Sequence, residues 1–217
     1  MSRRNPSERP GAIGRKIDKA MFEVLYGSLE EALLQACIAV DATASRLFPG
    51  KGTAARNIEF LHEDIQLIFL VATARQFRVE KPSIRLGIVH PDLKGTPGKV
   101  ASLEEIIYHV LRCSLVHEGE LPSEISLTSR NQVGWRFEVN KNGKPSVLPW
   151  QIILGLVLAV VGASVNASER TKNSYVIDRI ELNKYWGQRD RILKVLRRPC
   201  ENKGSPGLES GKTGISP

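Results

Sequence analysis

Cysteine is scarce in this sequence, with three residues in 217, and no two of them form a C-x-x-C pair. An odd number of cysteines without that spacing argues against a disulfide framework and against a zinc site built from cysteine pairs. Cys37 and Cys113 fall inside stretches of helical periodicity, so we expect reduced and mostly buried thiols. The N-terminus also lacks the apolar stretch of a signal peptide, which predicts a cytoplasmic protein.

No apolar run reaches the length of a membrane span. The nearest candidate, Trp150 to Val165, is preceded by a proline and followed by polar residues. A bilayer helix needs about 20 apolar residues, so this run predicts a helix buried in protein, and we expect no membrane partner. Gly155, Ala159 and Ala163 recur every four residues within it, a spacing that lets another helix approach closely.

Acidic residues are fewer than basic ones, and the formal net charge is +8. The excess lies at the ends, since residues 1–20 hold six basic and two acidic residues and residues 170–217 hold eleven and five. Residues 1–20 and 199–217 also lack a periodic apolar pattern, which predicts a basic flexible N-terminal tail and a flexible C-terminal tail. The domain is then expected over residues 21–198. Basic ends can contact phosphate or simply remain solvated, and both readings stay open.

The segment between the tails shows mainly helical periodicity. Ser28 and Glu31 have capping-box spacing before a helix predicted to end at Phe48, and Thr53 is expected to cap a second helix. Ser102 and Glu105 form another capping box, for a third helix that ends before a glycine and a proline. Two further helices are predicted, one over the apolar run and an amphipathic one over residues 174–196.

A small β-hairpin is predicted between the third and fourth helices, near residues 125–148. Apolar residues alternate with polar ones from Val133 to Val139, with Trp135 and Phe137 on the apolar face. Asn142 and Gly143 form the preferred two-residue turn before residues 146–148. The two aromatic rings fit a face that covers the helices better than a base-stacking surface. The fold class predicted from the sequence is therefore mainly α.

The third helix carries the most informative residues. Its sequence, SLEEIIYHVLRCSLVHEGELP, places Arg112 five residues before His117. On an ideal α-helix these side chains stand about 140° apart around the axis and about 7.5 Å apart along it, a gap that a long arginine can bridge. His117 falls where the polar and apolar arcs of the helix meet, which predicts a half-buried imidazole.

The segment LRCSLVHEG resembles the R-x4-6-H motif of the HEPN superfamily. The earlier segment ACIAVDATASRLFPGKG resembles the first helix and turn of bacterial members, and the similarity extends over residues 28–196. The resemblance implies a HEPN-like helical bundle, often dimeric, in which paired motif helices form a cleft for metal-independent RNA cleavage.

Carried onto this chain, the resemblance gives the catalytic roles to Arg112 and His117. A histidine can accept the ribose 2′-OH proton or protonate the leaving oxygen, and an arginine can hold the phosphate. His109, Cys113 and Glu118 are supporting or binding candidates on the same helix. The implied protein is a homodimeric endoribonuclease, a toxin-like hydrolase of a defence or stress response, that acts on RNA and needs no metal or cofactor.

One position departs from the family pattern and keeps other readings open. Cys113 stands where active members often carry asparagine or another polar residue, and a thiol replaces an amide poorly. The alternative is a non-catalytic HEPN-like module that binds RNA, nucleotide or protein. A purely structural reading pairs Arg112 with Glu105 or Glu118 and uses His117 as a C-terminal helix cap.

Other candidate chemistry is weaker. His109, Cys113 and His117 repeat every four residues, but three such side chains span about 12 Å along a helix and cannot close on one metal ion. His62 and His90 have no companion nucleophile in a known arrangement, and the GKGT segment lacks the spacing of a phosphate-binding P-loop.

Overall fold

Helices make up most of the part of the chain that the structure, a computed structural model, describes: residues 10–76, 85–86, 93, 101–131 and 146–198. A π-helical segment, Ile106–Arg112, joins two short helices and continues directly into the second. The α-helices in these ranges are α1 (Ala12–Tyr26), α2 (Leu29–Leu47), α3 (Thr53–Ala72), α4 (Leu103–Glu105), α5 (Cys113–His117), α6 (Ile152–Gly162) and α7 (Arg189–Leu196). The mainly α fold predicted from the sequence is confirmed.

Strands are short and occur in pairs. An antiparallel pair joins β1 (Arg85–Leu86) to β2 (Ala101–Ser102), and another joins β5 (Val176–Ile177) to β6 (Ile180–Glu181). The third pair is parallel and joins β3 (Ile125–Leu127) to β4 (Ser146–Leu148), with Ile125 opposite Ser146 and Leu127 opposite Leu148.

The predicted hairpin is only partly covered by the described residues. Residues 132–145, which include Trp135, Phe137 and the Asn142–Gly143 turn, lie outside them. Where β4 is described, its partner is β3, and the pairing is parallel rather than that of a hairpin. A parallel pair needs a long connection between its strands, so sequence alternation alone did not indicate it.

The core is built around α6, in which every residue is buried. This helix packs on α2, α3 and α7. At Gly155 a Cβ would stand 2.9 Å from both the Cα and the carbonyl oxygen of Ile68 in α3, closer than real Cβ contacts come. The prediction of a buried core helix with a close-packing small-residue face is confirmed. Within the described residues, no helix combines the length and hydropathy that a membrane span requires.

The N-terminal boundary predicted from composition is wrong, because α1 begins at Ala12. Its residues Ile13, Ile17 and Ala20 are at most 1% exposed, in contact with the rest of the core. Basic side chains between these apolar positions mask the periodicity. Residues 12–20 therefore belong to the folded domain, whereas residues 1–9 and 199–217 of the predicted tails lie outside the described range.

Local capping signals were mostly accurate. Ser28 accepts from the backbone N–H groups of Glu30 and Glu31, as an N-cap does. The reciprocal capping box forms between Ser102 and Glu105. Thr53, by contrast, is the first residue of α3 rather than its cap, a position held by Gly52 without a side-chain bond.

The last predicted helix is much shorter than its periodicity indicated. Residues 174–196 contain the β5–β6 turn and a 3-10 turn before α7 begins at Arg189. The turn residues Asp178 and Arg179 adopt φ angles of 51° and 68°, in the left-handed region that interrupts a right-handed helix. Asp178 also forms an ion pair with the buried Arg75 that follows α3. This long-range ion pair involves the same turn that breaks the helical pattern.

Candidate functional site

The helix that carries Arg112 is not a regular α-helix. Over Ile106–Arg112 it is π-helical, and the N–H of Cys113 reaches back five residues to the carbonyl of Tyr108. Such segments are rare and frequently occur at functional sites. The guanidinium carbon of Arg112 lies 5.6 Å from the centroid of the Tyr108 ring, a cation–π distance that holds the arginine against its own helix.

Arg112 belongs to a four-residue group that we call the Asp41 cluster: Asp41 of α2, Arg56 and Asn57 of α3, and Arg112. The Nη2 atom of Arg112 donates to Asp41 Oδ2 at 3.2 Å, and the Nη2 atom of Arg56 donates to Oδ1 at 3.1 Å. Asn57 Nδ2 donates to the same Oδ1 at 2.9 Å. One carboxylate thus orients two guanidinium groups from two different helices.

The Asp41 cluster is electrostatically positive and lies at the surface. Burial on its own raises the pKa of Asp41, but the bonds from Asn57, Arg56 and Arg112 outweigh it and leave this pKa below its ordinary value. Asp41 is therefore ionised at neutral pH and neutralises one of the two arginine charges. The side chains of Arg112, Arg56 and Asp41 are 18%, 20% and 25% exposed, so an anion in solvent can reach them.

His117 lies in a different environment from Arg112. It is exposed in the last turn of α5, so the prediction of a half-buried imidazole is wrong. Within the described ranges, no hydrogen bond or ion pair joins His117 to another residue. The chain leaves the helix at Gly119, whose φ of 84° and bond to the Ser114 carbonyl end α5. His117 lies at this exposed end of the helix, whereas Arg112 faces α2.

The supporting candidates separate in the same way. His109 packs edge-on against Tyr108, with ring centroids 4.8 Å apart, and the same Tyr108 ring contacts Arg112. Cys113 is partly exposed, whereas Glu118 is exposed. In the described part of the chain, no group of three or more His, Cys, Asp or Glu side chains is arranged to hold a metal ion.

The ion pair of Arg112 was not foreseen. Sequence spacing offered Glu105 or Glu118 as partners, but Glu105 is the capping-box residue and the Arg112 partner is Asp41, 71 positions away. The available signal in the sequence was weak: Asp41 is the one acidic residue in the second half of α2.

His62 also has a partner that the sequence did not indicate. Its Nδ1 lies 3.0 Å from Oε1 of Glu104, in the first turn of α4. The Glu104 side chain is 9% exposed and that of His62 is 77% exposed, so a buried carboxylate holds a solvent-facing imidazole. His90, the other isolated histidine, lies outside the described residues.

Comparison with known proteins identifies relatives without describing a chemistry. The chain is 25% identical to the uncharacterized protein Rv1289 of Mycobacterium tuberculosis over 189 residues, which cover 85% of this chain and 88% of the relative. The uncharacterized protein Mb1320 of Mycobacterium bovis matches with the same identity and coverage. No solved structure matches the chain. The HEPN resemblance stays a prediction. Because the Rv1289 family matches residues 12–203, the chain belongs to that family.

Proposed function

We propose that this protein binds RNA and that the Asp41 cluster holds an RNA phosphate. The observation that supports the proposal is the pair of guanidinium groups, Arg56 and Arg112, oriented by one carboxylate at the end of a π-helical segment. Arginine is the residue best suited to hold a phosphate, because its planar fork can donate two parallel hydrogen bonds.

Both arginines keep donors for a ligand after their bonds to Asp41. Each guanidinium has five N–H donors, and each gives a donor on Nη2 to Asp41. Asp41 and Tyr108 hold these side chains in place before a ligand arrives, so less rotamer freedom is lost on binding. Within the cluster, the two arginine charges outweigh the single carboxylate.

The proposed role is binding in the first place, because the geometry around His117 offers no orienting group. A general base acts efficiently when a second side chain fixes its ring and when it lies within hydrogen-bond reach of the proton it removes. Within the described residues His117 has no such partner, and the Arg112 side chain binds Asp41 of α2.

Binding is tested by fluorescence anisotropy with a labelled 12-nucleotide single-stranded RNA at several salt concentrations. We expect Arg112→Ala and Arg56→Ala each to weaken binding about tenfold, because a hydrogen bond to a charged group contributes about 1.5–3 kcal/mol. The slope of log K against log salt should fall by roughly one unit for each lost phosphate contact. Arg112→Lys keeps the charge but not the fork, so its affinity should lie between those of wild type and Arg112→Ala.

Lys184→Ala is the matched control, because it removes one positive charge from an exposed surface turn. If both arginine variants bind RNA as tightly as wild type, or lose no more affinity than Lys184→Ala, the Asp41 cluster is structural and the proposal is wrong.

Metal-independent RNA cleavage is a second candidate, favoured by one observation: the His117 imidazole is exposed and available for proton transfer. His117 would take the proton of a 2′-OH, the 2′-oxygen would attack phosphorus, and the bond from phosphorus to the 5′-oxygen would break. The 5′-oxygen would take a proton from a water molecule, and His117 would then give its proton to the hydroxide so formed. The products would be a 2′,3′-cyclic phosphate and a 5′-OH. The homodimer and the defence or stress setting, which the HEPN resemblance implies, belong to this second proposal, as does the cytoplasmic location expected from the N-terminal sequence.

Incubation of RNA with the protein in EDTA tests it. Cleavage by wild type that is lost in both His117→Ala and Arg112→Ala supports catalysis. If wild type leaves the RNA intact, or if His117→Ala cleaves as well as wild type, His117 has no catalytic role.

A further inference from the structure

The exposed face of α1 carries two basic residues followed by two aromatic ones. Arg15, Lys19, Phe22 and Tyr26 are all exposed and are spaced four, three and four residues apart. At about 100° per residue these four positions fall within an arc of roughly 60° on one side of the helix. We call this set the α1 stripe. The opposite side of α1 packs on α2 and the core.

The aromatic half of the α1 stripe is unusually open. Phe22 is 53% exposed and Tyr26 is 68% exposed, and they are two of the three large hydrophobic residues that are exposed in the described part of the chain. Their ring centroids are 5.3 Å apart and their planes are tilted by 49°. Both residues are more than half exposed, so their rings can be reached by a ligand. Adjacent exposed aromatics of this kind are a feature of surfaces that stack unpaired bases.

Positive charge flanks the two rings. Arg15 and Lys19 lie one to three turns before them, and Arg130 donates to two backbone carbonyls at the C-terminal end of α1. The nearby acids are engaged within the chain: Glu31 binds Lys19 at 2.7 Å, and Glu23 accepts from a backbone N–H of the α1–α2 turn. The Lys19–Glu31 pair is at the surface, where such pairs contribute little and exchange readily.

We propose that the α1 stripe binds single-stranded RNA, with bases stacked on Phe22 and Tyr26 and phosphates paired with Arg15 and Lys19. This inference rests on the proposed RNA binding and adds a surface that reads unpaired bases. The charge of the α1 stripe favours RNA as its ligand over a second copy of the chain. The stripe contains no acidic residue, so another stripe offers no carboxylate to Arg15 and Lys19, whereas a phosphate backbone does.

The test compares three labelled probes of equal length with full-length protein: single-stranded RNA, duplex RNA, and a single strand whose sugars carry no bases. We expect the double variant Phe22→Ala with Tyr26→Ala to bind the single-stranded RNA at least about 30-fold more weakly than wild type, because two stacks are lost and each costs roughly 1–3 kcal/mol. Binding to the base-free strand and to the duplex should change less than twofold. The swap Phe22→Tyr with Tyr26→Phe keeps both rings and should bind like wild type.

Each other result overturns the proposal. If wild type and the double alanine variant bind single-stranded RNA equally, the α1 stripe takes no part in RNA binding. An equal loss on the base-free strand means that the rings do not stack on bases. A sedimentation shift from dimer to monomer in the double variant identifies the stripe as a subunit contact.

The Asp41 cluster variants separate this proposal from the one on which it rests. If Arg112→Ala binds like wild type while the double alanine variant loses single-strand binding, the Asp41 cluster proposal fails and the α1 stripe stands. If Arg112→Ala weakens binding and the double variant does not, the stripe alone fails. If wild type binds no RNA at low salt, both proposals fail.

Discussion

The clearest pH-dependent prediction concerns Asp64, a buried carboxyl in the middle of α3. Its side chain is 5% exposed and accepts a hydrogen bond from Nε of Arg189 in the first turn of α7. Burial raises the pKa of Asp64 from 3.8 to about 6, because loss of hydration outweighs the stabilising bond and charge of Arg189. The loss of hydration at Asp64 therefore opposes the ion pair that joins α3 to α7.

Whether the free energy of unfolding rises or falls with pH depends on which state, folded or unfolded, binds the proton more tightly. Between pH 4 and pH 6 the folded chain keeps a proton on Asp64 that the unfolded chain has released. The free energy of unfolding therefore falls as the pH rises through this window. A difference of about two pKa units corresponds to about 3 kcal/mol, since one unit is 1.36 kcal/mol.

The substitution Asp64→Asn isolates this effect, because the amide oxygen can still accept from Arg189 but carries no titrating proton. The free energy of unfolding of wild type, measured by urea denaturation relative to Asp64→Asn, should drop by about 3 kcal/mol between pH 4 and pH 7. Glu120→Gln makes the same carboxyl-to-amide change at an exposed position and is the matched control. A difference between wild type and Asp64→Asn that is constant, or that rises with pH, would refute the reasoning.

Three further predictions concern packing, the Asp41 cluster and a buried thiol. Gly155→Ala should lower the free energy of unfolding by about 2 kcal/mol, because its Cβ meets the backbone of Ile68. Gly50→Ala, with open space around it, should change that free energy by less than about 0.5 kcal/mol, and equal effects would contradict the packing argument. Asp41→Asn should melt at a lower temperature, because it removes the carboxylate that two partly buried guanidinium groups share; an unchanged melting temperature would contradict this. Cys37 is buried and its pKa is raised to about 12, so thiol reagents should label it only after unfolding, and peptide mapping that finds it labelled in the native protein would contradict this.

Local sequence signals predicted the elements that depend on neighbouring residues. The Ser28 cap and the box of Ser102 with Glu105 are short-range hydrogen bonds, and both helices they begin were located correctly. The apolar run was placed in the core because its length falls short of a bilayer and its small residues fit a close helix contact. The start of α1 was not predicted because the basic residues between its apolar positions make the segment resemble a charged tail.

The sequence predicted only some residues of the candidate site. Arg112 was found by its spacing to His117, but the spacing assumed a regular α-helix, and the π-helical segment changes which side chains are neighbours. Its partners Asp41 and Arg56 come from other helices, at separations that no local pattern encodes. The exposure of His117 likewise follows from how the helices pack and from where the helix ends, rather than from its place on a helical wheel.

The amino-acid sequence by itself determined that this chain is mainly helical, where several helices begin, and that an eleven-residue apolar helix is buried. These features arise from periodicity and capping, which act within a few residues. Only the tertiary structure decided that Asp41 gathers two arginines, that β3 and β4 run parallel, and that Asp64 is buried beside Arg189. Such contacts join residues far apart in the chain, and their energies depend on burial and on partners that exist only after the helices have packed.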